Sequence, residues 1–248
     1  MRIQLQPGYL LHRRPYRDSS DLLEVFTLEH GRLGAVARGL GRRRSGGPLA
    51  AVLQPFRPLL LSLSGRGDLL TLTAVESGGV VPPLVGESLF SGFYLNELVL
   101  RALQRHEAHS RLFLAYAEAV AALARDDGRA RIACALRRFE LALVDELGYA
   151  VSFHRLADDS AALCAQRRYR LVPGEGFFVA DDGPPDPRVF DGAHLLQIAD
   201  GELEQVPPSV LRGLTQALLA DHVGGEALRS SRVFREVSGG VARGTGSA

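Results

Sequence analysis

Over the first third of the chain, apolar residues recur in short runs broken by turn residues, which is the spacing of strands. Five segments are predicted, at about 8–14, 21–28, 32–39, 55–63 and 68–76. LLEVFTL and LGAVARGL are rich in β-branched and aromatic residues and are joined by Glu29-His30-Gly31-Arg32, as a tight hairpin requires. PFRPLLLSL closes at the turn Ser64-Gly65-Arg66-Gly67-Asp68, and LLTLTAVES alternates as a half-buried strand does.

From Val80 the period changes. Pro82 and Pro83 mark the boundary, and three helical stretches follow. The first carries Leu89, Phe93, Leu95, Leu98, Val99 and Leu103 mostly on one face; the second carries Leu112, Tyr116, Ala119, Val120 and Leu123. The third has a main seam of Ile132, Leu136, Phe139, Leu143 and Leu147, flanked by a line through Cys134, Arg137, Leu141 and Val144. Beyond Gly148 the chain turns irregular. YRLVPGEGFFVA reads as a hairpin turning at Pro173-Gly174-Glu175-Gly176, and the proline-rich DDGPPDP follows. Helices are expected at about 190–200 and 208–222, with a short one in LRSSRVFREV and a disordered glycine-rich tail over 238–248.

This order of elements implies an α+β protein: a five-stranded barrel of the oligonucleotide-binding (OB) type, then a mainly α-helical domain with a small β-hairpin insertion. An SH3-like barrel satisfies the same strand count. The boundaries fall at 1–79 for the barrel, 80–237 for the helical domain with its irregular insertion at 152–185, and 238–248 for the tail. At 248 residues with 46% hydrophobic content, the chain can bury a substantial core. No apolar run approaches the roughly 20 residues a bilayer needs, and the amino terminus lacks a signal-peptide pattern, so the cytoplasm is expected.

Charge changes the picture most. Between Tyr9 and Arg44 stand eight arginines against four acids, in a protein whose net charge is +1. The positive field therefore belongs to the amino-terminal third. Arg38 ends the second strand of the predicted hairpin and leads into a glycine-flanked loop bearing Arg42, Arg43 and Arg44. Guanidinium forks grip phosphates, and glycines let the backbone approach, so the loop suits a polyanion; a solvated surface accounts for it equally. Every basic side chain other than histidine is arginine, which excludes Schiff-base and P-loop lysine chemistry. Single-strand binders add aromatic platforms, for which Tyr9, Tyr16 and Phe26 are candidates, Phe26 reading more as core.

Catalytic machinery is not visible. The chain has no G-x-S-x-G, no P-loop and no H-E-x-x-H motif, and Cys134 and Cys164 alone cannot form a zinc site. His106 and His109 lack a third ligand, and the aspartate pairs at 126–127, 158–159 and 181–182 fall in loops. We expect no enzyme, cofactor or metal. On the third helix, Arg137 lies within the flanking apolar line and Arg138 points away from the main seam. A cation beside an apolar strip can hold a peptide carboxylate, whereas pairing with Glu140 or extension to water is the ordinary role.

The phrases GYLLHRRPYRDSSDLLEVFTLEHGRLGAVARGLGRRRS, LQPFRPLLLSLSGRGDLLTL, LFSGFYLNELVLRAL, ALRRFELALVDELGY and SRVFRE jointly resemble the bacterial recombination mediators of the RecO family, collinearly over about 5–237. The resemblance implies an OB domain and a helical domain. It also implies binding to single- and double-stranded DNA, annealing of complementary strands, and work with RecR to load RecA onto strands covered by single-strand-binding protein. It assigns DNA contact to Arg38, Arg42, Arg43 and Arg44, with Arg13 and Arg14 on the neighbouring strand. It places the acidic tail of single-strand-binding protein at Arg137, with Arg138 beside it. Many relatives have a four-cysteine zinc site near 152–180; only Cys164 stands there, as in a zinc-free branch. An OB-type RNA-binding module without annealing or mediator activity is the alternative.

Overall fold

The computed structural model describes residues 1–16, 20–38, 51–125, 128–181, 183–220 and 223. The expected loop arginines Arg42, Arg43 and Arg44, the SRVFRE segment and the 238–248 tail lie outside the described residues.

The first strand, β1 (Arg2–Tyr16), is longer than its apolar run suggests because it serves two neighbours. Its first part pairs with β4 (Leu59–Ser64), from Arg2 opposite Ser64 to Gly8 opposite Leu59. Its second part pairs with β2 (Ser20–Thr27), from Gly8 opposite Thr27 to Tyr16 opposite Ser20. Gly8 belongs to both ladders, and a Cβ there would lie 2.7 Å from Leu61 Cδ1 and 3.0 Å from the Phe26 carbonyl oxygen. Irregularities between Ile3 and Gln6 and between Leu10 and His12 bend the strand so that it can close a barrel.

Strand β3 (Gly31–Arg38) returns along β2, and β5 (Leu69–Ser77) returns along β4. A parallel contact of Gly34 to Val36 with Leu69 to Thr71 closes the ring in the order β1-β2-β3-β5-β4. That is the OB-type arrangement, and it decides against the SH3-like alternative. Alternation sends Leu23, Val25, Leu33, Ala35, Leu61, Leu63 and Leu70 inward to a dry core.

Two helices complete this unit, α1 (Gly86–Ala102) and α2 (Ser110–Arg125). Tyr9 and Phe26 are cross-strand partners whose rings pack on Phe113 and Tyr116 of α2, with centroids 5.1 to 5.9 Å apart. Asn96 of α1 donates from Nδ2 to the Leu11 carbonyl at 2.8 Å and accepts from the Tyr116 hydroxyl at 2.6 Å, all in buried surroundings. Burial raises the pKa of both Tyr9 and Tyr116. The rings of Tyr9 and Phe26 are therefore core, and the expectation that Tyr9 could stack on a base is corrected.

The predicted stripe on α2 is buried throughout, but that on α1 is not: Leu95, Leu98, Val99 and Leu103 are buried, while Phe93 is exposed. Phe93 precedes Leu95 by two positions, about 200° round a helix, so the two never shared a face.

Contacts divide the chain into compact units at Met1–Asp126 and Asp127–Gly225. In the second unit, α3 (Arg129–Glu146) packs against α5 (Pro208–Leu219) and a 3-10 turn at Leu203–Gln205. Ile132, Phe139 and Leu143 of its main seam are buried, and Leu136 and Leu147 are half-buried. The expected hairpin is β6 (Arg168–Val172) and β7 (Gly176–Val179), and a third strand, β8 (Val189–Asp191), joins it on the other side of β6. Helix α4 (Gly192–Ala199) then starts later than the sequence suggests. Buried Phe190 and the approach of Gly192, where a Cβ would lie 2.1 Å from the Cys164 carbonyl oxygen, hold this junction extended.

Candidate nucleic-acid interface

Residues opposite one another in an antiparallel ladder share a face. Arg14 on β1 is opposite Leu22, which is opposite Val36 on β3; Tyr16 is opposite Ser20, which is opposite Arg38. Arg14 and Arg38 thus occupy neighbouring cross-strand rows on the outer face, with backbones about 12 Å apart by strand spacing. Both are exposed, and Tyr16 in the Arg38 row is half-buried. Residues 39–50 continue directly from Arg38.

Arg13 has the opposite orientation. Its Nε donates to Asp21 Oδ2 at 2.5 Å, with the Asp21 side chain 9% exposed and that of Arg13 32%. Part of its charge is neutralised within the fold, although a guanidinium has five donors and this bond uses one.

At the other end of the ladder, Arg32 is occupied. Its Nε meets Glu24 Oε2 at 3.2 Å, and its Nη1 donates to the carbonyls of Leu100 and Leu103 at 2.6 and 2.9 Å. These carbonyls belong to the carboxyl-terminal end of α1, where helix carbonyls lack intrahelical donors and a cation is favoured. Arg105 closes on Glu24 Oε1 from the other side and lies over Gly34, whose Cβ would stand 3.2 Å from Arg105 Cζ. The His106 amide donates to the Arg32 carbonyl at 3.0 Å. Sequence reasoning did not identify this Arg32–Glu24–Arg105 group, because Arg105 is distant along the chain.

On α3, Arg137 and Arg138 diverge. Arg137 is buried, and its Nη2 lies 2.6 Å from Oε1 of Glu140, which is fully buried. Arg137 does not emerge beside an apolar strip; one helical turn of spacing suffices to bring Glu140 beneath it. Arg138 pairs with Glu204 at 2.7 Å, both side chains being more than half exposed. Burial pushes the nearby Cys134 thiol up, and Glu204 adds to this against Arg138 and Arg137.

Cys164 is an exposed free thiol whose backbone amide donates to the Tyr169 hydroxyl at 2.7 Å. His106 and His109 face Asp68 and Glu107 respectively, each at 3.9 Å. Among the described residues, no group of three or more His, Cys, Asp or Glu side chains is placed to hold a metal, and no helix is long and apolar enough to cross a membrane.

Comparison with known proteins adds to this geometry. Residues 1–79 match the family model described as Recombination protein O N terminal, and residues 85–168 match Recombination protein O C terminal. The DNA repair protein RecO of Halorhodospira halophila is 42% identical over 238 residues, covering 94% of this chain and 97% of its own. Its counterpart from Nitrosococcus oceani is 41% identical over 241 residues, covering 96% and 95%. That of Methylococcus capsulatus is 39% identical over 238 residues, again covering 96% and 95%. With a closed barrel within the first matched segment, a helical region following it and similarity along nearly the whole chain, this protein belongs to the RecO family of DNA repair proteins.

Proposed function

We propose that this protein is a recombination mediator that binds single- and double-stranded DNA, anneals complementary strands, and acts with RecR to load RecA onto strands covered by single-strand-binding protein. The observation that carries the reading is the exposure of Arg14 and Arg38 on one outer face of an OB-type barrel, Arg38 being the last described residue before Arg42, Arg43 and Arg44 in the sequence. Arg13 adds donors from the neighbouring strand.

Annealing brings two polyanions together, and arginines that neutralise phosphates and release counterions lower the repulsion. No covalent step is needed, and the protein acts without catalysis. With about six phosphates engaged, affinity falls roughly 10³-fold between 50 and 200 mM salt. Backbone contacts carry little sequence information, so specificity is weak.

The acidic tail of single-strand-binding protein is assigned to α3. Arg138 is accessible there, and Arg137 supports the helix from below through Glu140. Such a tail reaches Arg138 by displacing an exposed carboxylate, an exchange of small cost. The site of action is the cytoplasm, at the nucleoid.

Annealing of complementary oligonucleotides, with and without single-strand-binding protein, tests the reading. Changing Arg42, Arg43 and Arg44 together to alanine should weaken DNA binding and flatten its salt dependence with the fold intact. Unchanged affinity removes the loop from the mechanism. Preference for structured RNA with no annealing replaces the reading with an RNA-binding module.

A further inference from the structure

Two contiguous clefts open on the amino-terminal unit, of about 510 and 330 Å³, sharing Gln54, Pro55 and Phe93. Phe93 is 42% exposed, which is unusual for a phenylalanine on a helix with a well-buried opposite face. Its ring stands edge-on to that of Phe56, with centroids 5.2 Å apart and planes at 72°.

The support beneath it is specific. Phe56 is buried and has φ +64°, a left-handed conformation that a bulky side chain rarely adopts. Gly92 makes room for its ring, since a Cβ there would lie 2.8 Å from Phe56 Cε1 and from Leu84 Cδ1. An unusual backbone angle and a missing side chain on the facing helix thus seat Phe56 under Phe93, backing the outer ring, which is open among the described residues.

Arginines stand at the rim. Arg57 lines one cleft, and Arg13 lines the other beside His12; one Arg13 donor is taken by Asp21 at 2.5 Å and the rest of its fork remains, and among the described residues neither cleft is itself lined by a carboxylate. Arg13 directly precedes Arg14 on β1, so the cleft it lines and the Arg14–Arg38 face lie on opposite sides of the same strand. An aromatic ring flanked by arginines matches a ligand made of flat apolar faces joined by phosphates.

We propose that Phe93 is a stacking platform for an unpaired base of single-stranded DNA, with Arg57 and Arg13 holding the flanking phosphates. The inference rests on the DNA-binding reading above and deepens it, because a base paired in a duplex cannot offer its face to the ring. It gives the protein a preference for single strands that phosphate contacts alone do not supply.

The chain contains no tryptophan, so Phe93→Trp introduces a single reporter. Its emission should be quenched by oligo(dT) and not by an abasic strand of equal length whose binding is followed separately by anisotropy. Phe93→Ala should weaken single-strand binding roughly 5- to 100-fold at an unchanged salt slope, with duplex affinity retained. Phe93→Leu, which keeps apolar bulk, should resemble alanine in binding and wild type in thermal stability.

Equal quenching by the abasic strand, or wild-type single-strand affinity in Phe93→Ala, overturns the platform. The second result takes Phe93 out of the DNA-binding surface. If the wild-type protein binds neither strand form, the underlying reading fails; if it binds both and only the Phe93 variants are silent, the platform alone fails.

Discussion

The two ends of the β1–β2–β3 ladder carry the same residue type with opposite consequences. At one end, Arg32 is held by Glu24 and the last carbonyls of α1, with Arg105 closing the group. At the other, Arg14 and Arg38 face solvent. A guanidinium becomes structural when a helix end and a carboxylate stand across from it; among the described residues, no ion pair is formed by Arg14 or Arg38. Adjacent Arg137 and Arg138 repeat the contrast on α3, one sealed against Glu140 and the other in an exposed pair.

The strongest way to break this contrast is Arg137→Ala. It removes the Arg137 cation from the buried Glu140 carboxylate and should cost up to about 3–5 kcal/mol in denaturant unfolding, whereas Arg138→Ala should cost less than about 1 kcal/mol. Equal losses from the two would show that burial does not separate them.

Glu24→Ala comes next. Its side chain is 16% exposed between two arginines, so a loss of roughly 2–3 kcal/mol is expected, between the buried and surface limits. DNA affinity should be unaffected, because the proposed interface includes neither arginine of that group.

Tyr116→Phe sharpens the comparison by pH. Burial raises the Tyr116 and Tyr9 pKa values above the ordinary 10.0, so the folded state holds protons that the unfolded state has released. Stability should be full below pH 10 and fall as pH rises beyond it. The variant should lose about 1–3 kcal/mol at neutral pH, because Asn96 Oδ1 loses its donor, and should show a shallower alkaline decline by thermal melts across pH.

Smallest in stability, and most direct for function, is the double change of Arg14 and Arg38 to alanine. Unfolding should shift by less than about 0.5 kcal/mol, while the single-strand salt slope drops by roughly 1.4. An unchanged slope in a titration series would remove this face from the interface.

Much of this was legible in the sequence wherever a period was clean. The alternation in LGAVAR and the stripe from Leu112 to Leu123 specified what they bury, because each pattern has one inward face. The family phrases and the exposed Arg38 were legible too. Less visible were partners set by distance in the chain: Arg32 with Leu100 and Leu103, or Tyr9 with Tyr116. Tyr9 has the composition of a base platform and becomes core only because α2 returns across it. Phe93 misled in the opposite direction, since grouping it with the α1 stripe ignored its angular offset from Leu95.

The aromatic seam between Tyr9, Phe26 and α2 also determines where the polypeptide can be cut. A fragment ending at residue 79 would retain every barrel strand yet uncover two large rings and leave the Leu11 carbonyl without Asn96. Such a piece should self-associate during purification, and the shortest well-behaved amino-terminal truncation product should extend through Arg125, with both helices attached.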